Sequence, residues 1–144
     1  MKKSSLLIRP FKMSDKNEVV ILWEKCKLTV PWNDPYKDIA RKMETLPELF
    51  LVGIIDESLI SSIMGGYDGH RGWINYLAVH PKHQKNGFGK KMLENLEYQL
   101  KLLGCPKVNL QIRSGNNSIV SFYEKVGYIN DKVISMGKRL EKDN

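Results

Sequence analysis

The sequence has few of the features that define secreted, metal-binding or membrane proteins. It holds two cysteines in 144 residues, Cys26 and Cys105. Neither belongs to a C-x-x-C pair or to a Cys/His cluster with metal-ligand spacing, so we expect reduced structural thiols and no metal. No apolar run is long enough to span a bilayer. The apolar part of the N-terminus, residues 6–8, is too short for a secretory signal. We therefore expect a cytoplasmic protein with no membrane partner.

The composition is that of one ordinary globular domain, which we assign to residues 1–144. The sequence is 42% hydrophobic and 27% charged, with no repeat or low-complexity linker. Its formal net charge of +7 favours an anionic partner, either nucleic acid or a phosphorylated cofactor. The sequence has no helix-turn-helix, zinc-finger or RNP pattern, so we expect no nucleic-acid partner.

The apolar patterning predicts an α/β (α+β) fold with the element order β-α-α-β-β-β-α-β-α-β-β. Strands are predicted at residues 6–11, 49–55, 59–66, 73–79, 108–112, 128–129 and 133–140, and helices after Asp15, at residues 38–45, after Gly87 and after Ser118. The central strand–helix–strand units demand parallel pairing with helices on the faces. Hairpins before and after them make the sheet mixed.

The stretch "HPKHQKNGFGKKML", residues 80–93, places glycines and lysines where a strand ends and a helix begins. A Walker loop needs Ser or Thr after Lys90, and a dinucleotide fingerprint needs a small residue at Met92, so neither motif fits. The first amides of a helix nevertheless lack intrahelical partners and lie at its positive end. Glycines let that backbone approach a ligand closely. The stretch therefore predicts a pyrophosphate site.

The stretch "VHPKHQKNGFGKKML" resembles the acyl-CoA signature of the GNAT N-acetyltransferase superfamily, with Gln84, Gly87 and Gly89 at its fixed positions. An apolar strand, "INYLAV", precedes it, and a long amphipathic helix follows it. The segment "NNSIVSFYEKVGY" resembles a second signature of that family, carried by Asn116 and Tyr123. More narrowly, "PWNDP", "MGGYDGHRG", "GCPK" and "GKRL" resemble the bacterial YpeA acetyltransferases.

The resemblance implies the GNAT fold, acetyl-CoA as cosubstrate and transfer of its acetyl group to a primary amine. It implies that the strand at residues 73–79 splays away from the strand at residues 108–112. Cofactor contacts would come from this splayed strand, from the glycine loop and from the segment after the next strand, namely Leu77, Ala78, Val79, Gln84, Lys85, Asn86, Gly87, Phe88, Gly89, Lys90 and Asn116. A backbone N–H of the splayed strand would polarise the thioester carbonyl. Tyr123 would stabilise or protonate the departing thiolate, the alternative being a core aromatic.

The resemblance defines the residues of the acceptor site less closely than those of the cofactor site. Many family members carry a Glu on the strand at residues 73–79, which this sequence lacks, so Asp68, His70 and Glu24 are candidate bases, directly or through a water. Trp32 is expected to roof the acceptor site or to anchor the core, and Tyr76 completes the expected substrate-binding set. The amine could be a small molecule, a peptide N-terminus or a lysine. A non-catalytic acyl-CoA sensor remains the alternative function, and the sequence leaves the oligomeric state open, with a homodimer as one possible assembly.

Overall fold

The computed structural model describes residues 5–143, which form a five-stranded mixed sheet of order β1-β2-β3-β4-β5. The strands are β1 (Leu7–Pro10), β2 (Phe50–Ile55), β3 (Ser58–Tyr67), β4 (Gly72–Val79) and β5 (Val108–Leu110), and the helices are α1 (Lys16–Lys25), α2 (Pro35–Met43), α3 (Phe88–Leu102) and α4 (Asn117–Lys125). Single 3-10 turns lie at Met13–Asp15, Pro47–Leu49 and Pro81–His83. The first four strands pair antiparallel, and β4 pairs parallel to β5. The predicted mixed α/β architecture is confirmed.

Each face of the sheet carries its own hydrophobic core. On the α1 and α2 face, Trp23 and Phe50 are fully buried and their rings stack. On the α3 and α4 face, the predicted leucine stripe is buried at Leu93, Leu96 and Leu100. The fourth position of that stripe, Leu103, is exposed because it lies past the end of α3. β4 contributes side chains to both cores, with Tyr76 and Ala78 on the α1 and α2 face and Ile74 and Leu77 on the α3 and α4 face.

Helices α3 and α4 end in the same backbone motif, at the glycines that the sequence predicts. Gly104 has φ +84° and Gly127 has φ +100°, a left-handed conformation that favours glycine. After α4, the Tyr128 amide donates to the Tyr123 carbonyl at 3.0 Å, and the Gly127 amide donates to the Glu124 carbonyl at 3.1 Å. This is the Schellman arrangement. It turns the chain sharply after each helix.

Helix α2 begins earlier than predicted. The sequence predicts a start at residue 38, because the prolines of "PWNDP" indicate a break. Instead, Asp34 is the N-cap, and its carboxylate accepts a 2.9 Å hydrogen bond from the Tyr36 amide. Pro35 occupies the first helical position, where its fixed φ is compatible with a helix and its missing N–H costs nothing. The Asp–Pro pair therefore starts the helix rather than delaying it.

The prediction of two final strands is wrong for the described residues, because no strand follows α4. Instead, side chains attach residues 128–140 to the β5 region. Asp131 accepts hydrogen bonds from Lys107 at 2.9 Å and Asn109 at 2.7 Å, and Gln111 donates to Ser135. β5 itself ends at Leu110, two residues short of the prediction. An alternating run becomes a strand only when a neighbour supplies a backbone ladder, and here that ladder is absent. The large apolar residues of this segment are exposed: Ile129, Val133, Ile134, Met136 and Leu140.

Candidate active site

Strand β4 has an open edge over its second half. It pairs with β5 only at Gly72, Trp73 and Ile74, because β5 stops while β4 continues to Val79. Within residues 5–143, no strand pairs with that edge of residues 75–79. An extended ligand carrying amide groups can add to such an edge as an extra strand. Leu77, Ala78 and Val79, three of the predicted cofactor residues, lie in this segment.

The open segment also contains a β-bulge. Met64 of β3 pairs with Asn75, and Ser62 pairs with Ala78, so Tyr76 and Leu77 have no Cα partners in β3. Tyr76 has φ +52°, which is unusual for a residue with a side chain. The bulge thus reorients the backbone of β4 at the point where β5 diverges from it.

The predicted phosphate loop joins the end of β4 to α3. Gly87 is the residue that precedes the helix, with φ +79°. The first helical hydrogen bond is donated by the Lys91 amide to the Gly87 carbonyl, at 3.1 Å. The amides of residues 88–90 therefore have no intrahelical partner and lie at the positive end of the α3 dipole. Three consecutive N–H groups at a helix start suit a phosphate group.

Two polar side chains of the loop hold its shape. Gln84 donates from Nε2 to the Val79 carbonyl at 3.0 Å. Asn86 donates from Nδ2 to the carbonyls of His83 at 3.2 Å and Gln84 at 3.3 Å. Lys85, between them, has φ +66°. The structure therefore places Gln84 and Asn86 as internal braces, while the helix amides remain available.

The two loop glycines differ in their surroundings. A Cβ at Gly87 would meet nothing within 4 Å, so this side of the loop is open. A Cβ at Gly89 would contact the Phe122 ring at 3.4 Å and the Val79 side chain at 3.7 Å. The open side at Gly87 leaves space for a ligand, whereas the side chain position at Gly89 faces α4 and the end of β4 at ordinary contact distance.

Tyr123 lies on the α3 and α4 face, with 8% of its surface exposed. Its ring meets the Tyr128 ring edge-on, with 5.5 Å between centroids. Burial raises the pKa of Tyr123 to about 12. Among the described residues, none forms a hydrogen bond with its hydroxyl. Asn116, the residue before α4, accepts a 3.4 Å hydrogen bond from the Ser118 hydroxyl. Tyr123 thus combines a packed ring with an uncommitted proton donor.

Trp32 lies in the connection between α1 and α2 and is half exposed, so the core-anchor alternative is wrong. The Arg113 guanidinium lies over its ring, 5.3 Å from the centroid. Trp32 borders a cleft of about 770 Å³, lined also by Asn33, Arg41, Gln111 and residues 137–141. This cleft lies between α2 with the connection that precedes it on one side and Gln111 with residues 137–141 on the other.

The structure does not bring the candidate bases together with Tyr76 or Tyr123. Asp68 lies in the turn between β3 and β4, where its carboxylate accepts hydrogen bonds from the amides of His70 at 2.8 Å and Arg71 at 2.7 Å. These bonds lower its pKa. At about 3.3 Å per residue, the start of β4 is about 13 Å from Tyr76. Glu24 is exposed on α1. The general base stays unassigned among these three residues.

Asp38 is a neighbour of Tyr76 that the sequence analysis missed. The Tyr76 hydroxyl donates to Asp38 Oδ2 at 2.6 Å, and the Tyr76 ring stacks on Trp23 with 3.7 Å between centroids. The two residues are 38 positions apart. Helical spacing places Asp38 on the same face as Arg41, but no local pattern indicates Tyr76 as its partner.

The two cysteines are free thiols, as expected. Cys26 donates to the Val79 carbonyl at 3.3 Å, and its partial burial raises its pKa, which makes the thiol less reactive. In residues 5–143, no three His, Cys, Asp or Glu side chains form a group that could hold a metal. Nor does that part of the chain contain a helix with the length and hydropathy of a membrane span.

The profile of the Acetyltransferase (GNAT) family matches residues 17–128, and the chain belongs to that family. An acetyltransferase of Yersinia enterocolitica is 47% identical over 136 residues, covering 94% of this chain and 96% of the relative. The expected resemblance to bacterial acetyltransferases is therefore confirmed.

Solved structures share the same fold. Ard1 from Thermoplasma volcanium superimposes with a TM-score of 0.75 at 24% identity, covering 86% of this chain and 82% of that one. The NatC complex bound to Gag peptide and CoA gives a TM-score of 0.74 at 21% identity, covering 87% and 85%. The predicted GNAT fold is confirmed.

Proposed function

We propose that this acetyltransferase moves an acetyl group from acetyl-CoA directly to a primary amine while both substrates are bound. The observation that carries the proposal is the continuity between the open edge of residues 75–79 and the helix amides of residues 88–90. One long ligand, with amide groups at one end and phosphates at the other, suits both the open strand edge and the helix amides. The CoA bound to NatC, which shares this fold, adds support.

The residues present fit acetyl-CoA. The loop from Lys85 to Lys90 would hold the pyrophosphate through backbone N–H groups, and the open space beside Gly87 leaves room for it. The backbone of Leu77 and Val79 would pair with the pantetheine arm, and Asn116 would lie near its far end. When bound, acetyl-CoA supplies the acetyl group as a thioester. The chain has to hold that thioester, orient it and handle one proton.

Tyr123 would handle the proton. Because burial raises its pKa to about 12, the hydroxyl keeps its proton at neutral pH. When the new C–N bond forms and the C–S bond breaks, Tyr123 Oη would give this proton to the departing thiolate. The proton lost by the acceptor nitrogen would then restore the tyrosine through solvent. This cycle leaves Tyr123 unchanged, as a general acid must be.

The amine would enter through the cleft beside Trp32. The exposed indole, with Arg113 stacked on it, would form its roof. Arg41, which lines the cleft, bonds to the same Asp38 carboxylate as Tyr76 and so connects the cleft to β4. Three acceptor classes fit this position: small molecules, peptide N-termini and lysine side chains. Asp68 and His70 are less suited to contact the acceptor, since they lie at the opposite end of β4.

The decisive experiment measures release of CoA thiol from acetyl-CoA with a panel that covers all three amine classes. We expect release with at least one class and not in the absence of amine. Binding is measured separately. At a concentration of about one hundred times Kd, acetyl-CoA should add roughly 2.7 kcal/mol of stability, a melting shift of several degrees. A truncated pantetheine without phosphates should add far less.

A non-catalytic acyl-CoA sensor is the second candidate, favoured by the absence of an acidic side chain in β4. Acetyl-CoA would then raise the melting temperature, while no amine class would release thiol. An unchanged melting temperature at millimolar acetyl-CoA would contradict both candidates.

A further inference from the structure

The backbone of Tyr76 is strained in a functionally central strand. Its φ of +52° lies in the left-handed region, where a side chain with a Cβ is disfavoured. Such a conformation persists only when the surrounding structure holds it, and it is found preferentially at functional sites. The contacts that hold Tyr76 are therefore informative.

Two buried residues hold Tyr76 from inside the core. The Ser62 hydroxyl donates to the Tyr76 carbonyl at 2.9 Å, and the Trp23 indole N–H donates to the Ser62 oxygen at 2.9 Å. The indole ring also stacks on the Tyr76 ring, with 3.7 Å between centroids and 10° between planes. Trp23 and Ser62 have no exposed surface. These contacts fix the carbonyl and the ring plane, but they leave the hydroxyl free.

Asp38 of α2 holds the hydroxyl end. The Tyr76 hydroxyl donates to its Oδ2 at 2.6 Å, while Arg41 donates to its Oδ1 at 3.3 Å. The Asp38 side chain is 24% exposed, so this contact lies at the edge of the core rather than within it. Asp38 thereby connects the helix that borders the acceptor cleft to the bulge in β4.

The bulge controls one particular backbone group. Neither Tyr76 nor Leu77 has a Cα partner in β3 or β5. The direction of the Leu77 N–H is therefore set not by a sheet ladder but by the plane of the Tyr76–Leu77 peptide, which depends on the conformation of Tyr76 and on the Ser62 bond to the Tyr76 carbonyl. A backbone N–H at this position is the expected donor to the thioester carbonyl.

We propose that Asp38 is a positioning residue, which acts through Tyr76 to hold the Leu77 N–H in the direction that polarises the thioester carbonyl. This inference rests on the proposed function. It assigns to α2 the orientation of the N–H donor to the thioester carbonyl, a role that neither the glycine loop nor Tyr123 supplies. It also makes the donor dependent on α2, because Asp38 belongs to that helix.

The test uses three single variants, Asp38→Ala, Asp38→Asn and Tyr76→Phe, and the double variant that combines Asp38→Ala with Tyr76→Phe. We expect Asp38→Ala and Tyr76→Phe each to lower kcat at least tenfold, with the KM for acetyl-CoA changing less than about threefold. The double variant should be no worse than Asp38→Ala alone, because both substitutions remove the same hydrogen bond between Tyr76 and Asp38. Asp38→Asn should retain most of the rate, since its amide oxygen still accepts from Tyr76.

The control is Asp15→Ala, which removes a buried carboxylate that accepts hydrogen bonds from Arg9 at 2.7 and 2.9 Å near the opposite edge of the sheet. It should lower stability and leave kcat unchanged. Equal losses in Asp38→Asn and Asp38→Ala, or additive losses in the double variant, would overturn the proposal.

A second readout needs no acceptor. The amide resonance of Leu77 in isotope-labelled protein should shift in Asp38→Ala and Tyr76→Phe and stay in place in Asp15→Ala. An unmoved Leu77 resonance in both site variants would refute the positioning role even if no amine were ever acetylated. Conversely, a shifted resonance with no turnover by the wild type would contradict only the proposed function.

Discussion

Gln84 donates a hydrogen bond from Nε2 to the carbonyl oxygen of Val79, at 3.0 Å. Val79 is the last residue of β4, and Gln84 lies in the glycine loop, so this bond joins the open strand to the phosphate site. The thiol of Cys26 donates to the same carbonyl at 3.3 Å. The motif glutamine therefore fixes the distance between the two halves of the proposed cofactor site.

Gln84→Ala should weaken acetyl-CoA binding about 3- to 10-fold, because a typical hydrogen bond contributes roughly 0.5–1.5 kcal/mol and the loop becomes less preorganised. Calorimetric titration measures this change. Gln99→Ala, a matched substitution within α3, should bind acetyl-CoA like the wild type. Equal affinity in Gln84→Ala would mean that the loop keeps its shape without this bond.

Valine substitutions at Gly87 and Gly89 should each weaken acetyl-CoA binding or stability, for a different physical reason at each position. At Gly89, a valine would add carbon atoms against Phe122 and beside the helix amides, so we expect Gly89→Val to bind acetyl-CoA at least tenfold more weakly, about 1.4 kcal/mol, while staying folded. At Gly87, the φ of +79° makes valine strained, so Gly87→Val should also lose thermal stability.

The control for the glycine pair is Gly66→Ala, where a Cβ meets nothing within 4 Å and φ is not positive. It should alter neither affinity nor melting temperature appreciably. Wild-type affinity in a folded Gly89→Val protein would show that the loop does not contact the cofactor.

Tyr123→Phe should lower kcat by about a hundredfold or more, with KM nearly steady, because it deletes the proton donor and keeps the packed ring. Single-turnover kinetics should show the loss even if release of CoA limits the steady state. Tyr98→Phe removes an exposed hydroxyl from α3 and should leave both constants unchanged. A wild-type single-turnover rate in Tyr123→Phe would assign Tyr123 to packing alone.

Tyr123 should also make stability depend on alkaline pH. Its folded pKa of about 12 exceeds the ordinary value of about 10. The unfolded chain therefore ionises first, and the stabilising contribution is complete below pH 10 and lost as pH rises through 12. Urea unfolding at pH 9 and at pH 12 should show the wild type losing about 1–3 kcal/mol more than Tyr123→Phe. Equal losses in the two proteins would contradict the burial of this hydroxyl.

The sequence by itself determined the parts of the molecule that depend on neighbouring residues. The leucine stripe of α3 and the glycines at positions 104 and 127 follow from helical periodicity and backbone geometry, and the structure confirms them. The glycine loop is also local, because Gln84, Gly87 and Gly89 are contiguous with the helix whose amides they expose. Such features need no knowledge of the rest of the chain.

Only the tertiary structure decided the parts that depend on distant contacts. Asp38 meets Tyr76 because α2 packs beside α1, the helix that lies on β4, and no pattern within either segment indicates this pair. The alternation at residues 133–140 predicted a strand, but side-chain bonds to the β5 region replaced the ladder that a strand requires. Trp32 looked equally like a core residue and a surface residue until the fold placed it at the cleft. The physical reason is the same in each case: a sheet partner, a buried face and a hydrogen-bond acceptor are supplied by residues far away in the chain.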